Sequence, residues 1–251
     1  MSALRVCVIV PVYDHHAALP RLVDALRSTR LPCWLIDDGS HEPCARAVRD
    51  LCADNPQWMH QLRLEVNQGK GAAVLSGMRA ALAAGFTHAV QIDADLQHDP
   101  SRIGEFVAAA EHNPSAVING VPQYDASVPA IRLHGRRITT VLVWIHTLSR
   151  KIADAMCGFR LYPIAPVVAL DDRARIGRRM EFDADIIVRL FWAGVPVVNL
   201  KTPVTYPADG VSHFRMLRDN LRMARLHLRL LAGMLARLPR LLPRRLAGQA
   251  P

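Results

Sequence analysis

Along the first half of the chain the spacing of apolar residues switches repeatedly between two periods. Residues 5–12 are a continuous, largely β-branched apolar run, which predicts a buried strand. Residues 17–28 then repeat apolar positions at helical spacing through Leu19, Leu22, Val23 and Leu26. The exchange recurs, with strands predicted at 33–36, 62–66, 88–92 and 116–119 and helices at 42–53, 69–84 and 100–112. Gly85 is placed to close the third helix and Pro100 to open the fourth. Strands alternating with helices predict an α/β domain whose mostly parallel central sheet is flanked by helices.

The last part of the chain is patterned differently. Phe214, Leu217, Leu221, Ala224, Leu228, Leu231, Leu235 and Leu238 step by three and four, drawing one apolar stripe down a helix over 213–238. At 1.5 Å per residue it would run about 39 Å and end before Pro239. Arg215, Arg218, Arg222, Arg225 and Arg229 form a second stripe. Such a helix either lies in an anionic membrane interface or packs on the domain with its arginines in water. Past Gly233 the pattern loses its regularity, and order there is expected only with lipid or a partner. The chain therefore divides into a domain over 1–209 and a basic amphipathic helix and tail over 210–251.

Charge sharpens that division. From residue 210 onward there are nine arginines and one acid, Asp219, so the tail holds nearly all of the net charge of +9. No aromatic residues lie between the stripe's arginines, and nucleic acid is not an expected partner. The hydrophobic content, 51% of 251 residues, suffices for a single core. Five cysteines with no CxxC pair suggest neither a disulfide framework nor a zinc site, and fit a reducing cytosol. The apolar N-terminal run lacks the flanks of a signal peptide. No apolar stretch reaches the length of a spanning helix, about 18 residues or more. The expected location is cytoplasmic, peripheral on the inner face of the cell membrane.

Ligands of parallel sheets bind beyond the carboxyl ends of the strands. Those ends read Pro11-Val12-Tyr13-Asp14, Asp37-Asp38-Gly39-Ser40, Asn67-Gln68-Gly69-Lys70-Gly71 and Asp93-Ala94-Asp95, four polar clusters on one edge. Asp93 and Asp95 share a face of an extended chain, so both carboxylates can meet one hard cation, with Gln97 as a further oxygen ligand. The cation, Mg2+ or Mn2+, would bridge to a diphosphate. Taken alone, a D-x-D is also compatible with a solvated loop or helix cap, and Asp99 before Pro100 reads as such a cap. The Asn67–Gly71 loop opens a helix, so its backbone N–H groups and Lys70 favour an anion. It matches neither a nucleotide-binding Walker loop nor the dinucleotide fingerprint.

Taken together these clusters make residues 5–209 resemble the family-2 inverting glycosyltransferases of GT-A fold, especially the dolichyl- and polyprenyl-phosphate sugar synthases. Asp154-Ala155-Met156-Cys157-Gly158-Phe159-Arg160 adds to the likeness. The resemblance implies a GT-A fold and a UDP- or GDP-linked sugar donor. It implies donor contacts at Pro11, Tyr13, Asp14, Ile36, Asp38, Lys70, Asp93 and Ala94, and metal contacts at Asp93, Asp95 and Gln97. The acceptor would be a lipid or polyprenyl-linked molecule met by Arg136, Arg137, Asp154, Arg160 and His213. The chain departs from those synthases where the acceptor and diphosphate are handled: His15 replaces a glutamate, Gly120-Val121-Pro122 a run ending in arginine, and His213 a lysine. A phosphate acceptor loses part of its arginine fork by this. A hydroxyl acceptor needs a general base, for which Asp183 in Glu181-Phe182-Asp183-Ala184-Asp185 is the choice, with Asp95 as the second catalytic acid. The same acids also suit a helix N-terminus. A nucleotidyltransferase shares the sheet and the metal acids, but it carries a glycine-rich loop after the first strand that this chain lacks.

Overall fold

The computed structural model describes residues 4–124, 128, 130–205 and 216–246. The first half alternates as its pattern predicts: β1 (Val6–Val12), α1 (Leu19–Arg27), β2 (Cys33–Asp38), α2 (Cys44–Asp54), β3 (Met59–Leu64), α3 (Lys70–Ala83) and β4 (His88–Gln91). A 3-10 turn, Pro100–Arg102, leads into α4 (Ile103–His112), and Asp99 caps it by accepting from Ser101 N–H at 2.9 Å. Then come β5 (Val117–Tyr124), α5 (Ala130–Thr147), β6 (Arg160–Pro163), α6 (Ile164–Arg173), α7 (Phe182–Trp192), β7 (Val197–Val204), α8 (Met216–Leu235) and α9 (Leu238–Leu246).

The strands form one seven-stranded sheet in the order β3-β2-β1-β4-β6-β5-β7. All pairings are parallel except those of β6, which runs antiparallel to β4 and β5. Alternate residues of β1 serve opposite faces. Val8 and Val10 join Leu22, Leu26 and Phe106 on the side of α1 and α4, while Cys7 and Ile9 join Val74, Met78 and Ile186 on the side of α3 and α7. The parallel arrangement brings the carboxyl ends of β1, β2 and β4 to one edge, where the polar clusters lie.

Two strand boundaries differ from those the pattern predicts. β3 occupies Met59–Leu64 rather than 62–66, because its pairing with β2 runs from Cys33 opposite Met59 to Asp38 opposite Leu64, leaving Val66 exposed. β5 continues beyond Asn119 to Tyr124 because β7 pairs with it along its whole length. Both are register effects that local hydrophobicity does not encode.

The tail departs further. In place of one helix ending before Pro239 there are two, α8 and α9, and α9 spans Pro239 and Pro243. Pro239 sits at the start of α9, where its missing N–H costs nothing. Residues 213–215 lie outside the described residues. The buried face of α8 is Asp219, Met223, Leu226, Leu230 and Met234, and of these Met223, Leu226 and Leu230 build a third core with Val143 of α5 and Ile187 and Phe191 of α7. The leucine stripe read from the sequence faces outward, with Leu217 91% and Leu228 67% exposed. No helix among the described residues is long and apolar enough to cross a membrane, and all five cysteines are unpaired.

Candidate active site

The ends of β1 and β2 are laced together. Pro11 and Tyr13 are half-buried on either side of buried Val12, while Ile36 lies wholly in the core beneath them. Asp14, at a φ of 52°, accepts from His41 N–H at 2.9 Å, and its own N–H donates to Ser40 Oγ at 3.1 Å. The adjacent acids Asp37 and Asp38 part company: buried Asp37 accepts from Ser40 N–H and pairs with Arg63. Asp38 accepts from Gln68 N–H at 2.7 Å and Gly69 N–H at 2.8 Å. Burial pushes its pKa up, and the two amides act against that rise. Gly39 makes the approach possible, since at φ 70° a Cβ there would stand 2.5 Å from the Val66 carbonyl carbon.

This changes the role expected of the Asn67–Gly71 loop. Two of the amides expected to receive a ligand anion, those of Gln68 and Gly69, are spent inside the protein on Asp38, and just past the loop the Ala72 N–H donates to the Arg178 carbonyl at 3.0 Å. These two amides hold Asp38 at the start of the loop.

At the centre of the edge lies Lys70. Its Nζ donates to Asp93 Oδ2 at 2.8 Å and to Asp183 Oδ2 at 2.7 Å, and Gln91 Nε2 donates to Asp183 Oδ1 at 3.0 Å. Burial alone would lower the pKa of Lys70, but the two carboxylates outweigh it and the net shift is upward. Burial likewise opposes ionisation of Asp93, and Lys70 overcomes it, leaving that pKa below the ordinary value. The main chain of Asp183 is fixed from behind, its carbonyl accepting from Arg160 Nη1 at 2.6 Å. Gly158 closes over the group: a Cβ there would lie 2.2 Å from Asp93 Oδ2 and 2.6 Å from Lys70 Nζ.

The other oxygen, Asp93 Oδ1, is buried without a hydrogen-bond partner. Next to it, Asp95 has a pKa raised to about 6, first by burial and then by the charge of Asp93. Its Oδ1 accepts from Gln97 N–H at 3.1 Å. An orphaned carboxylate oxygen beside a second acid whose ionisation is opposed is a donor set that suits a divalent cation. Among the described residues no three His, Cys, Asp or Glu side chains gather to hold a metal by themselves. A cation held by Asp93 and Asp95 would complete its shell with ligand oxygens and water, as Mg2+ does at diphosphates.

Where an acceptor was expected to be met, Arg136 of α5 forms a two-pronged pair with Asp154, Nε to Oδ2 at 3.1 Å and Nη2 to Oδ1 at 2.9 Å, and its guanidinium lies 5.6 Å from the centre of the Tyr124 ring. Arg137, expected beside it, is exposed, because one residue turns a helix by about 100°. Arg160, expected to meet an acceptor, is 0% exposed and donates to Asn119 Oδ1 and the Asp183 carbonyl, so it is a girder of the site. His213 lies outside the described residues. Asp185 accepts from Gly177 N–H and pairs with Arg189, holding α7 to the preceding loop. The pattern pointed to Asp93, Asp95, Asp183, Lys70 and Asp154, and the structure brings them to one edge. Gln91 and Asn119 escaped it: both sit within apolar strand runs, where a buried amide was the one available signal, while Gly158 stood in the 154–160 motif with no role attached to it.

Comparison with known proteins follows the same lines. The family model for glycosyl transferase family 2 matches residues 7–167. The polyprenol monophosphomannose synthase of Mycolicibacterium smegmatis is 25% identical over 227 residues, covering 88% of this chain and 84% of its own. Among solved structures, glucosyl-3-phosphoglycerate synthase from Mycobacterium tuberculosis, in complex with Mn2+ and UDP-glucose, superposes with a TM-score of 0.69 at 12% identity, over 92% of this chain and 79% of that one. The mannosyltransferase PcManGT from Pyrobaculum calidifontis, with GDP-Man and Mn2+, gives 0.59 at 16% identity, over 94% and 75%. These structural likenesses are of fold, the GT-A fold.

Proposed function

The chain belongs to glycosyl transferase family 2, and from this we propose that it moves a sugar from a UDP- or GDP-linked donor to a lipid or lipid-linked acceptor at a membrane surface. The observation that carries the donor half is the orphaned Asp93 Oδ1 beside Asp95, within reach of a strand edge whose other end presents Asp38 and Tyr13. Tyr13 and Pro11 offer half-buried surface for a base, and the Asp38 carboxylate retains acceptor capacity for its N–H or for ribose hydroxyls. A divalent cation bound at Asp93 and Asp95, Mn2+ or Mg2+, supplies Lewis acidity to the leaving diphosphate. Lys70 keeps Asp93 oriented, and Gly158 excludes any side chain from that contact.

The acceptor half rests on Arg136 and Asp154. Arg136 has two of its donor groups committed to Asp154, which favours a hydroxyl acceptor over a phosphate dianion. Asp183 is the acid nearest in role to a base, lined up by Lys70 and Gln91. Similarity to the polyprenol monophosphomannose synthase of Mycolicibacterium smegmatis supports the other reading, transfer to a polyprenyl phosphate. Release of nucleotide with a polyprenyl phosphate but not with lipid alcohols would decide for it.

The donor reading is tested by melting the protein with UDP-, GDP- and dTDP-sugars in the presence of Mn2+. One donor is expected to raise the melting temperature, because a ligand of the folded state alone must stabilise it. Asp95→Ala should lose most of that shift. No shift with any donor, or an equal one in Asp95→Ala, would sink the reading.

A further inference from the structure

α5 and α8 touch through the third core, and where they meet His146 Nε2 lies 3.1 Å from His227 Nδ1. Four residues along a helix advance about 40° around its axis. Two such steps back from His146 reach half-buried Leu142 and then Ile138, which is 63% exposed. Two steps forward from His227 reach Leu231 and Leu235, both exposed. The inner sides of the two helices are taken up by Val143 and Thr147 on α5 and by Met223, Leu226 and Leu230 on α8, all buried. Both rows therefore leave the contact on its outer side. Exposed Val141 and Ile145 on α5 and Leu228 on α8 lie beside them.

Among the described residues, the exposed charges of α5 and α8 are of one sign. α5 contains no acid, and the one acid of α8, Asp219, is buried and paired with Arg222 at 2.7 Å. Arg218 and Arg225 are exposed along α8 next to the leucines, and Arg229, also exposed, reaches the buried Asp185 carboxylate at 3.9 Å. An apolar strip bordered by arginines and, among the described residues of these two helices, free of exposed carboxylates complements an anionic bilayer, whose acyl boundary takes the aliphatic groups while its phosphates meet the guanidinium groups.

We propose that α5 and α8 form a single lipid-docking face, with Ile138, Val141 and Ile145 as a second half that the basic tail alone does not supply. The inference rests on the membrane part of the function proposed above. It also orients the molecule, since the inner side of α5 carries Arg136 in its pair with Asp154. The helix lying in the headgroup layer would thus bring the acceptor side of the site to the lipid.

The test is flotation of the full chain with vesicles of phosphatidylcholine alone or mixed with phosphatidylglycerol. Wild type should float with the mixed vesicles, and the triple variant I138S/V141S/I145S should bind them roughly tenfold or more weakly, as expected when three aliphatic groups lose their burial. R218Q/R225Q should lose most of the preference for phosphatidylglycerol. The donor-induced melting shift checks that each variant is folded and keeps the two readings apart: its absence in wild type would defeat the donor reading while leaving flotation untouched. If L217S/L221S/L228S stops floating but the α5 variant floats like wild type, α8 docks alone and the inference falls. It falls equally if wild type is a dimer that the α5 variant turns into a monomer without any vesicle binding. Independently, Ile138→Cys carrying an environment-sensitive fluorophore should shift to the blue on mixed vesicles, and an unchanged spectrum would overturn the proposal.

Discussion

Lys70 shows how much of the site hangs on one charged group. It lies between two carboxylates that would otherwise face each other across a mostly buried space. Removing one member of a buried ion group leaves uncompensated charge, which typically costs about 3–5 kcal/mol. Lys70→Met should therefore lower unfolding stability by about that amount in a urea titration, and Asp183→Asn in the same background should restore part of it. If Lys70→Met is as stable as wild type, the three groups are not coupled as drawn. At this scale the sequence was readable for the acids, because Asp93, Asp95 and Asp38 follow strands at their exposed ends. It was not readable for their partners, since Lys70 and Asp183 are 113 positions apart in the chain and nothing local links them.

Between elements, the contact of α5 with α8 carries a pH signature. His146 and His227 are turned toward each other, and burial depresses both pKa values, that of His146 to about 4, with His227 opposing its charge as well. A folded state that resists protonation binds fewer protons than the unfolded chain between that value and the ordinary histidine pKa of about 6.5. The pair's contribution is thus fully present above pH of about 6.5 and is lost as pH falls toward 4. His98, lowered to about 4 chiefly by burial, adds to the same window. Melting temperature measured against pH should fall across that interval, and His227→Gln should flatten the fall. An unchanged slope would separate the pair from acid sensitivity. The elements up to β5 and the tail helix were visible in the periodicity of the chain, yet α5, β6, α6 and β7 were not predicted from it, and neither was α9, because Pro239 and Pro243 read as breakers until one is seen to occupy a helix start.

For the whole molecule, α8 is both part of the core and part of the surface. Met223, Leu226 and Leu230 close the third core, and burying such side chains stabilises by about 1.5–3 kcal/mol each, against a total stability of roughly 5–15 kcal/mol. Truncation after Gly210 should consequently lower the melting temperature markedly or prevent soluble folding, whereas substitutions on the outward leucines should leave it nearly unchanged. A truncated chain melting like wild type would show that α8 packs loosely. The sequence by itself determined the alternation of strands and helices, the edge at which the polar clusters gather, the acids that serve it and the existence of a basic amphipathic tail, because each is written in local periodicity or at strand ends. The tertiary structure alone decided which stripe of α8 is buried, since Leu217–Leu221–Leu228 and Met223–Leu226–Leu230 are equally helical and only the fit against α5 and α7 chooses between them. It also decided that the amides before α3 serve Asp38, that Arg160 is a buried support, and that Lys70 joins Asp93 to Asp183, because hydrogen bonds and ion pairs between distant segments exist only once the sheet has set their register.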